Sequence, residues 1–228
     1  PAKIVKSQVF GKQFHTICSG GAYLDPKYID MFKKYDIVIQ QGYGMTECAP
    51  VISVNQSWNI RSDSVGQLLP NCEAKTVDGE LWVKGSSVMQ GYYKMPEETA
   101  ETLEDGWLKT GDLGYVDEDG FVYLTGRKKN LIITKNGENV SPEELENALS
   151  TIRLVGEILV REKDGVIEAE IYPDQDYVKK KRIKDVRAKL QEIIDEYNKT
   201  AAPQKRIYSL IVRDKEFEKT TTRKIKRF

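Results

Sequence analysis

The chain has 228 residues, which is enough for one large or two ordinary domains with a packed core. Lysine plus arginine and aspartate plus glutamate both number 35, so no overall charge points to nucleic acid, and no apolar run approaches the roughly 20 residues that span a bilayer. Cys18, Cys48 and Cys72 lack a CxxC spacing and cannot all pair, which favours reduced thiols and a cytoplasmic protein.

The first part of the chain predicts a parallel α/β unit. A short apolar run at 13–18 leads into a glycine turn at 19–22, a helix is indicated over 26–35, and an apolar strand at 37–39 runs into the loop at 40–47. A strand, a helix and a strand in that order are typical of parallel sheets. Ligands of such sheets gather at the carboxyl ends of the strands, so both glycine turns are candidate binding loops.

From about residue 64 to residue 124 the pattern changes to short alternating runs separated by glycines. We expect strands at 66–69, 74–77, 81–83 and in a hairpin at 113–125, with a short helix at 96–103. This arrangement predicts a small antiparallel β subdomain or a distorted barrel.

The composition becomes more charged after Lys129, where a compact α+β domain of about 100 residues is expected. Ser141, Pro142 and Glu144 predict a helix that begins with a capping box. Further strands are predicted at 131–133, 158–160, 166–172 and 207–212, and an apolar stripe predicts a helix over 183–197. We interpret the basic run at 179–182 as the solvated start of that helix.

The loop at 40–47 carries the chemistry that a nucleotide needs. Gly42 and Gly44 allow the backbone to approach a ligand, and Tyr43 offers a flat face for an adenine ring. Thr46 offers a hydroxyl and a backbone N–H to a phosphate, and the carboxylate of Glu47 suits Mg²⁺, a hard cation. The alternative interpretation of Glu47 is an ordinary surface acid.

Asp112 and Arg127 flank the hairpin turn. A carboxylate can accept hydrogen bonds from a ribose diol, and a guanidinium can donate to the oxygens of a nucleotide. Two structural alternatives remain at this level. The segment 107–129 is also explained as a hairpin with a solvated basic linker, and Gly20–Gly21 as a plain tight turn.

Five segments resemble, in order, signature motifs of the adenylate-forming enzymes, which include acyl-CoA synthetases, luciferases and the adenylation domains of peptide synthetases. The segments are SGGAYL, QGYGMTECAP, GELWVKGSSVMQGYY, WLKTGDLG and LTGRKKNLIITKNGENVSPEELE. The resemblance implies the C-terminal part of a large AMP-binding domain over 1–128, made of the α/β unit and the antiparallel subdomain. A small mobile C-terminal domain over 129–228 would follow it.

The resemblance also implies roles for individual residues. Asp112 would hold the ribose hydroxyls of ATP, Lys129 would be the hinge, Gly137 would lie in the loop that approaches CoA, and Glu47 would bind the metal ion. The implied nucleotide-binding residues are Gly20, Gly21, Ala22, Gln41, Gly42, Tyr43, Gly44, Thr46, Asp112 and Arg127.

The tail EKTTTRKIKR at 218–227 resembles the last motif of the family, P-x-T-x-x-G-K-I-x-R. The register places Lys224 where the family has a catalytic lysine, which contacts the substrate carboxylate and the α-phosphate. Two positions depart from the pattern, because the proline is absent and Arg223 replaces a glycine. The alternative is a frayed basic tail.

The resemblance is strongest to long-chain fatty acid–CoA ligases. It implies ATP or AMP and Mg²⁺ as cofactors, a fatty acid and CoA as substrates, no nucleic acid partner, and at most peripheral membrane contact. No phosphate loop rich in Ser, Thr and Gly is present, so we expect the C-terminal part of a synthetase that would not turn over alone. The alternatives are a non-catalytic nucleotide-binding or partner module and a peptide-synthetase adenylation domain.

Overall fold

A computed structural model describes residues 2–221 and 224–227 of the chain. The chain divides into two compact units, Pro1–Lys128 and Lys129–Phe228, and each is described by itself. Within the described residues, no helix is long and apolar enough to cross a membrane.

The first sheet of the first unit has four strands in the order β1-β2-β3-β4. Its elements are α1 (Ala2–Val9), β1 (Thr16–Gly20), α2 (Pro26–Lys33), β2 (Val38–Gly44), β3 (Val51–Val54) and β4 (Gln67–Leu68). The strand β1 is parallel to β2, and the remaining pairs are antiparallel. The crossover helix α2 begins at Pro26, because Asp25 caps it by accepting a hydrogen bond from the Lys27 N–H at 2.9 Å.

The second sheet of this unit is antiparallel and has five strands. Its elements are β5 (Cys72–Val77), β6 (Glu80–Gly85), α3 (Pro96–Thr102), β7 (Leu103–Glu104), β8 (Trp107–Val116) and β9 (Val122–Arg127). The order is β5-β6-β8-β7, and β9 pairs with β8. The turn between β8 and β9 is closed by Asp117, whose Oδ1 accepts from the N–H groups of Asp119 and Phe121 at 3.0 and 2.8 Å.

Two expectations for this unit need correction. The strand predicted at 66–69 belongs to the first sheet, where β4 pairs with β3, and not to the antiparallel subdomain. The helix α1 was not predicted, and its apolar residues Ile4 and Val9 are exposed. The core of the unit joins residues of both sheets, including Tyr43, Ile52, Leu81, Leu108 and Val122.

The second unit combines a three-stranded sheet with helices and a small hairpin. Its elements are β10 (Ile132–Ile133), β11 (Asn139–Val140), α4 (Pro142–Ser150), β12 (Val155–Lys163), β13 (Val166–Pro173), α5 (Gln175–Lys181), α6 (Val186–Thr200) and β14 (Ser209–Val212). The strand β13 lies between β12, to which it is antiparallel, and β14, to which it is parallel. Leu145, Leu149, Ile171, Leu190 and Ile194 are central to its buried core.

Two local predictions in the second unit are wrong. The capping box does not form, because the Ser141 hydroxyl donates to Glu143 Oε2 at 3.0 Å and makes no cap bond to the helix backbone. The basic run does not start a helix. It ends α5, with Arg182 in the left-handed conformation at the C-terminus, and a separate N-cap at Asp185 begins α6.

Candidate functional site

The carboxyl ends of β1 and β2 lie side by side at one edge of the first sheet. Gly20 is the register partner of Gly42, and a Cβ on Gly20 would lie 3.1 Å from the Gly42 carbonyl oxygen. This close approach explains the glycine at position 20. Gly21, with φ of +79°, and Ala22 continue as an exposed loop at this edge.

The strand β2 carries the second glycine loop into the turn at Thr46–Cys48. Gly44 faces β3 closely, since a Cβ there would lie 1.9 Å from the carbonyl oxygen of Pro50. Gln41 precedes this turn and is buried, and its Oε1 has no hydrogen-bond partner in the part of the chain that the structure describes. A buried acceptor without a partner can accept a hydrogen bond from a ligand.

Asp112 lies at the centre of the candidate site. Its Oδ2 accepts a hydrogen bond of 2.7 Å from the Tyr43 hydroxyl, and its Oδ1 lies 2.7 Å from the Arg127 Nε. Asp112 and Arg127 are register partners on β8 and β9, so the hairpin brings them together. Tyr43 comes from β2 of the other sheet, and its ring is buried in the core, with 8% of the residue exposed.

The charge of Asp112 is held in a largely buried environment. Burial, followed by the charge of Asp112 and its hydrogen bond, raises the pKa of Tyr43 far above its ordinary value. The phenol therefore stays protonated and keeps donating to the carboxylate. Arg127 is half-exposed, with 44% of its side chain accessible, and supplies the opposing positive charge.

The sequence interpretation missed two polar residues that support Asp112. The Thr110 hydroxyl accepts from the Asp112 N–H at 3.1 Å and donates to the Leu81 carbonyl at 2.7 Å. Glu80 is buried, and its Oε1 accepts from the Gly111 N–H at 2.9 Å. The signal for Thr110 was its place in the TGD motif. The signal for Glu80 was a carboxylate at the start of an apolar strand, at a position that the structure shows to be buried.

Glu80 also holds the end of the first unit, because Lys128 Nζ lies 2.9 Å from its Oε2. Burial by itself would raise the pKa of Glu80. The hydrogen bonds from Lys128, from the Gly111 N–H and from Trp82 outweigh burial and lower the pKa below its ordinary value. The buried carboxylate is therefore ionised at neutral pH.

Thr46 and Glu47 occupy the short turn that follows β2. Thr46 is exposed, and Glu47 Oε1 accepts a hydrogen bond of 2.9 Å from the Tyr92 hydroxyl. Among the described residues, no group of three or more His, Cys, Asp or Glu side chains could hold a metal ion. One carboxylate nevertheless fits Mg²⁺, which binds through one or two carboxylates and completes its shell with substrate phosphates and water.

The remaining candidate residues belong to the second unit. Lys129 is its first residue and lies in the short turn Lys128–Asn130. Gly137, with φ of +79°, lies at the tip of the β10–β11 hairpin, where its N–H donates to the Thr134 carbonyl at 2.8 Å. Lys224 is exposed, and its N–H donates to Thr220 Oγ1 at 3.1 Å. Arg223 lies outside the described residues.

A family model described as AMP-binding enzyme matches residues 2–93, and one described as AMP-binding enzyme C-terminal domain matches residues 129–228. The chain belongs to the adenylate-forming, AMP-binding enzymes. A long-chain-fatty-acid–CoA ligase of Mycobacterium bovis is 39% identical over 143 residues, which are 62% of this chain and 24% of the relative. A long-chain-fatty-acid–CoA ligase from Salmonella typhimurium is 46% identical over 121 residues, which are 48% of this chain and 21% of the relative.

Solved structures of adenylate-forming CoA ligases have the same fold. The o-succinylbenzoate CoA synthetase of Bacillus subtilis, in complex with its acyl-adenylate intermediate, is 27% identical with a TM-score of 0.79, over 98% of this chain and 48% of that one. The structure of the same enzyme with ATP and magnesium is 29% identical with a TM-score of 0.77. The match covers 92% of this chain and 45% of that one. The chain thus spans about a quarter of these curated relatives and about half of the solved chains.

The comparisons confirm the family and the mixed α/β fold that the sequence predicted. They do not test the roles of individual residues. The nucleotide-binding set, the metal ligand Glu47, the hinge Lys129, the CoA loop at Gly137 and the catalytic Lys224 stay predictions.

Proposed function

We propose that this chain acts in an ATP-dependent acyl-CoA ligase whose acid substrate is a long-chain fatty acid. In the first step, a carboxylate oxygen of the acid attacks the α-phosphorus of ATP, and pyrophosphate leaves. In the second, the CoA thiol attacks the acyl carbon of the adenylate, and AMP leaves. Each step needs positioning and charge stabilisation, and neither needs a covalent enzyme nucleophile.

The observation that carries this proposal is the buried Asp112 carboxylate, which is held by Tyr43 on one oxygen and by Arg127 on the other. A carboxylate offers about four lone-pair sites, so one carboxylate can accept hydrogen bonds from a ribose diol as well as from protein donors. Two protein donors fix its orientation before a ligand arrives, and such preorganisation reduces the cost of binding.

The neighbouring loops fit the rest of the nucleotide. The Gly20–Ala22 loop and the Gly42–Gly44 segment end adjacent parallel strands, where ligands of such sheets bind. The buried Oε1 of Gln41 can accept a hydrogen bond from the amino group of an adenine. Thr46 begins the exposed turn after β2 and offers its hydroxyl to a phosphate. Mg²⁺, when bound, would neutralise phosphate charge beside Glu47.

The second unit would supply the groups that change between the two steps. Lys224 would place an ammonium beside the reacting carboxylate and the α-phosphate during adenylate formation. The hairpin tip at Gly137 would approach the pantetheine chain of CoA in the second step. Lys129 would absorb the backbone rotation that exchanges these two groups, as hinge residues do.

The identity of the acid rests on the relatives. The Mycobacterium bovis and Salmonella typhimurium relatives are named as long-chain fatty acid ligases, and a Bacillus subtilis relative of that name is 38% identical over 160 residues. Several structural neighbours act on other acids by their names, among them o-succinylbenzoate and anthranilate, and one is named as a fatty acyl CoA synthetase of Mycobacterium tuberculosis. The fatty acid ligases match at higher identity than these structures, which favours the fatty acid. Relatives named 4-coumarate–CoA ligase-like, from Oryza sativa and Arabidopsis thaliana, are 43% and 40% identical, so an aromatic acid is the second candidate.

The test is acid-dependent ATP–pyrophosphate exchange by the protein as its gene encodes it. Palmitate, benzoate, o-succinylbenzoate and an amino acid mixture would be compared under equal conditions. Exchange that is strongest with palmitate, followed by palmitoyl-CoA formation, supports the proposal. Strongest exchange with an amino acid would support a peptide-synthetase adenylation domain. AMP binding without exchange for any acid would support a non-catalytic nucleotide-binding module.

A further inference from the structure

Residues 218–221 and 224–226 form a small hairpin, which we call the Lys224 hairpin. The Thr220 N–H donates to the Lys224 carbonyl at 2.8 Å, and the Lys226 N–H donates to the Glu218 carbonyl at 2.9 Å. Lys219 and Ile225 form the bridge between these two bonds. Lys224 is therefore fixed at its backbone, while its side chain is exposed.

Both arms of this hairpin are attached to the body of the second unit. Phe217 is buried just before the first arm, and its N–H donates to Glu157 Oε2 at 2.8 Å. Lys219 forms an ion pair with the other oxygen of Glu157. On the second arm, Arg227 binds Glu146 through two nitrogens, with Nη1 3.0 Å from Oε1.

Glu146 is placed to serve as the anchor of the second arm. It projects from α4, and its Oε1 also accepts from the Val160 N–H at 2.7 Å, on the edge strand β12. Its side chain is 13% exposed and that of Arg227 is 20% exposed, whereas Glu144 on the same helix is 49% exposed. Glu143 adds a second carboxylate, 3.3 Å from Arg227 Nη2.

The pair of Arg227 with Glu146 has a geometry that fixes the position of Arg227. A bidentate pair between a guanidinium and a carboxylate fixes both distance and plane, which a single ion pair does not. Arg227 is three residues from Lys224, so any movement of Arg227 is transmitted through a hydrogen-bonded hairpin to Lys224. Burial raises the pKa of Glu146, and the hydrogen bonds and charge of Arg227 oppose that shift.

We propose that Glu146, acting through Arg227, is a positioning residue that holds the Lys224 hairpin in place for adenylate formation. This inference rests on the proposed function, in which Lys224 contacts the reacting groups. A misplacement of about 1 Å in a reacting constellation can cost on the order of a hundredfold in rate. Loss of the anchor should therefore reduce adenylation without removing any group that contacts the substrate.

The test uses Glu146→Gln in the protein as its gene encodes it. The glutamine still accepts from the Val160 N–H through its Oε1, so the edge of β12 stays satisfied and the unit should fold. We expect palmitate-dependent pyrophosphate exchange to fall between about tenfold and a hundredfold. Thioester formation from supplied palmitoyl-adenylate should stay near the wild-type rate. Arg227→Gln should give the same pattern, and the double variant should lose no more than either single variant.

The matched control is Glu144→Gln, which removes a carboxylate from the same helix and breaks the exposed ion pair with Lys205. It should leave both half-reactions unchanged. Amide hydrogen exchange gives a second readout. In Glu146→Gln the amides of Thr220, Lys224 and Lys226 should lose protection, while the amides of β13 keep theirs.

Lys224→Ala separates the failure of this inference from the failure of the proposed function. If Lys224→Ala abolishes exchange but Glu146→Gln exchanges normally, the anchor is overturned and the proposed function stands. If Lys224→Ala exchanges normally, the role of Lys224 and this inference are both overturned. The ligase function itself fails only if the wild type shows no acid-dependent exchange. Equal loss of both half-reactions in Glu146→Gln, together with a lower unfolding midpoint, would show a structural role and would also overturn the inference.

Discussion

The phenol of Tyr43 donates a 2.7 Å hydrogen bond to the carboxylate of Asp112, although 69 positions separate the two residues in the sequence. The bond joins β2 of the first sheet to β8 of the second. Arg127, which lies on β9, forms an ion pair with the other carboxylate oxygen of Asp112. Three strands of two sheets therefore fix one buried acid.

Tyr43→Phe tests this relationship. The variant keeps the buried ring and removes one donor from a buried charge, so the free energy of unfolding should fall by about 1.5–3 kcal/mol. AMP affinity, measured by calorimetry, should fall as well, because the carboxylate loses the contact that orients it. Urea unfolding monitored by tryptophan fluorescence gives the stability.

Tyr115→Phe is the control for this experiment. Tyr115 is 49% exposed and stacks on Tyr123, and its substitution removes a phenol oxygen from the surface of the second sheet, to which Asp112 belongs. Its stability and AMP affinity should equal those of the wild type. If Tyr43→Phe behaves like Tyr115→Phe, the Tyr43 hydroxyl does not support the site.

Local pattern indicated the hairpin that brings Asp112 and Arg127 together, but not their ion pair or the hydrogen bond from Tyr43. The β8–β9 hairpin is a local structure with an acidic glycine turn, and its alternation places the two residues opposite each other. The Tyr43 contact depends on how two sheets pack, which no spacing encodes. The motif resemblance grouped these residues without giving their geometry.

The helix boundaries show how tertiary partners override local signals. Ser141 and Glu144 have the spacing of a capping box, yet Glu144 pairs with Lys205 and the Ser141 hydroxyl turns to Glu143. The basic run was assigned to the wrong helix because Asp174 and Asp185, which cap α5 and α6, were not recognised as two separate starts.

Glu80→Gln should change how stability depends on pH. The pKa of Glu80 is lower in the folded protein than its ordinary value, so its contribution to stability is present above about pH 4.3 and is lost as the pH falls through the lowered pKa. The difference in unfolding free energy between the wild type and Glu80→Gln should be constant from pH 7 to pH 5 and should shrink below that range.

Urea unfolding at a series of pH values measures this difference. Glu73→Gln removes an exposed carboxyl from the neighbouring strand β5 and serves as the matched control. Lys128→Ala removes the strongest of the hydrogen bonds that lower the pKa of Glu80, so it should weaken the same pH dependence. A difference that grows on acidification would contradict the direction of the shift.

Lys129→Pro tests the proposed hinge. Proline fixes φ near −65°, so it should favour one of the two backbone conformations that a hinge must adopt. In the protein as its gene encodes it, one half-reaction should fall by roughly tenfold or more while the other changes little. Pyrophosphate exchange and thioester formation from supplied acyl-adenylate measure the two steps.

Lys129→Ala is the control, because it removes the same side chain and keeps the backbone free. Both half-reactions should continue at near wild-type rates in this variant. Equal losses in Lys129→Pro, or no loss, would mean that position 129 is an ordinary linker residue.

Lys224→Ala tests the assignment of the catalytic lysine. The loss of one preorganised charge contact should reduce pyrophosphate exchange by on the order of a hundredfold to a thousandfold, by analogy with oxyanion donors. Arg223→Ala should be measured beside it, because arginine replaces the family's glycine next to the lysine. If Arg223→Ala is the impaired variant and Lys224→Ala exchanges normally, the register of the motif differs from the one assigned here.

Lys219→Pro tests what holds the first arm of the Lys224 hairpin, and the hairpin geometry predicts that it is tolerated. The hydrogen bonds described within the Lys224 hairpin are donated by the N–H groups of Thr220, Lys224 and Lys226, and none of them uses the Lys219 N–H. Proline therefore removes no donor from the hairpin. The ion pairs of Lys219 with Glu157 and Glu216 are lost, but the first arm keeps the hydrogen bond from the Phe217 N–H to Glu157.

The matched variant is Thr220→Pro, which places the same ring one residue later and removes the N–H that donates to the Lys224 carbonyl at 2.8 Å. We expect Lys219→Pro to keep most of its palmitate-dependent pyrophosphate exchange and the amide protection of Lys224 and Lys226. Thr220→Pro should lose both, because the hairpin that fixes Lys224 is broken on one side. Equal impairment by the two prolines would mean that the Lys219 ion pairs, rather than the backbone bonds, hold the hairpin.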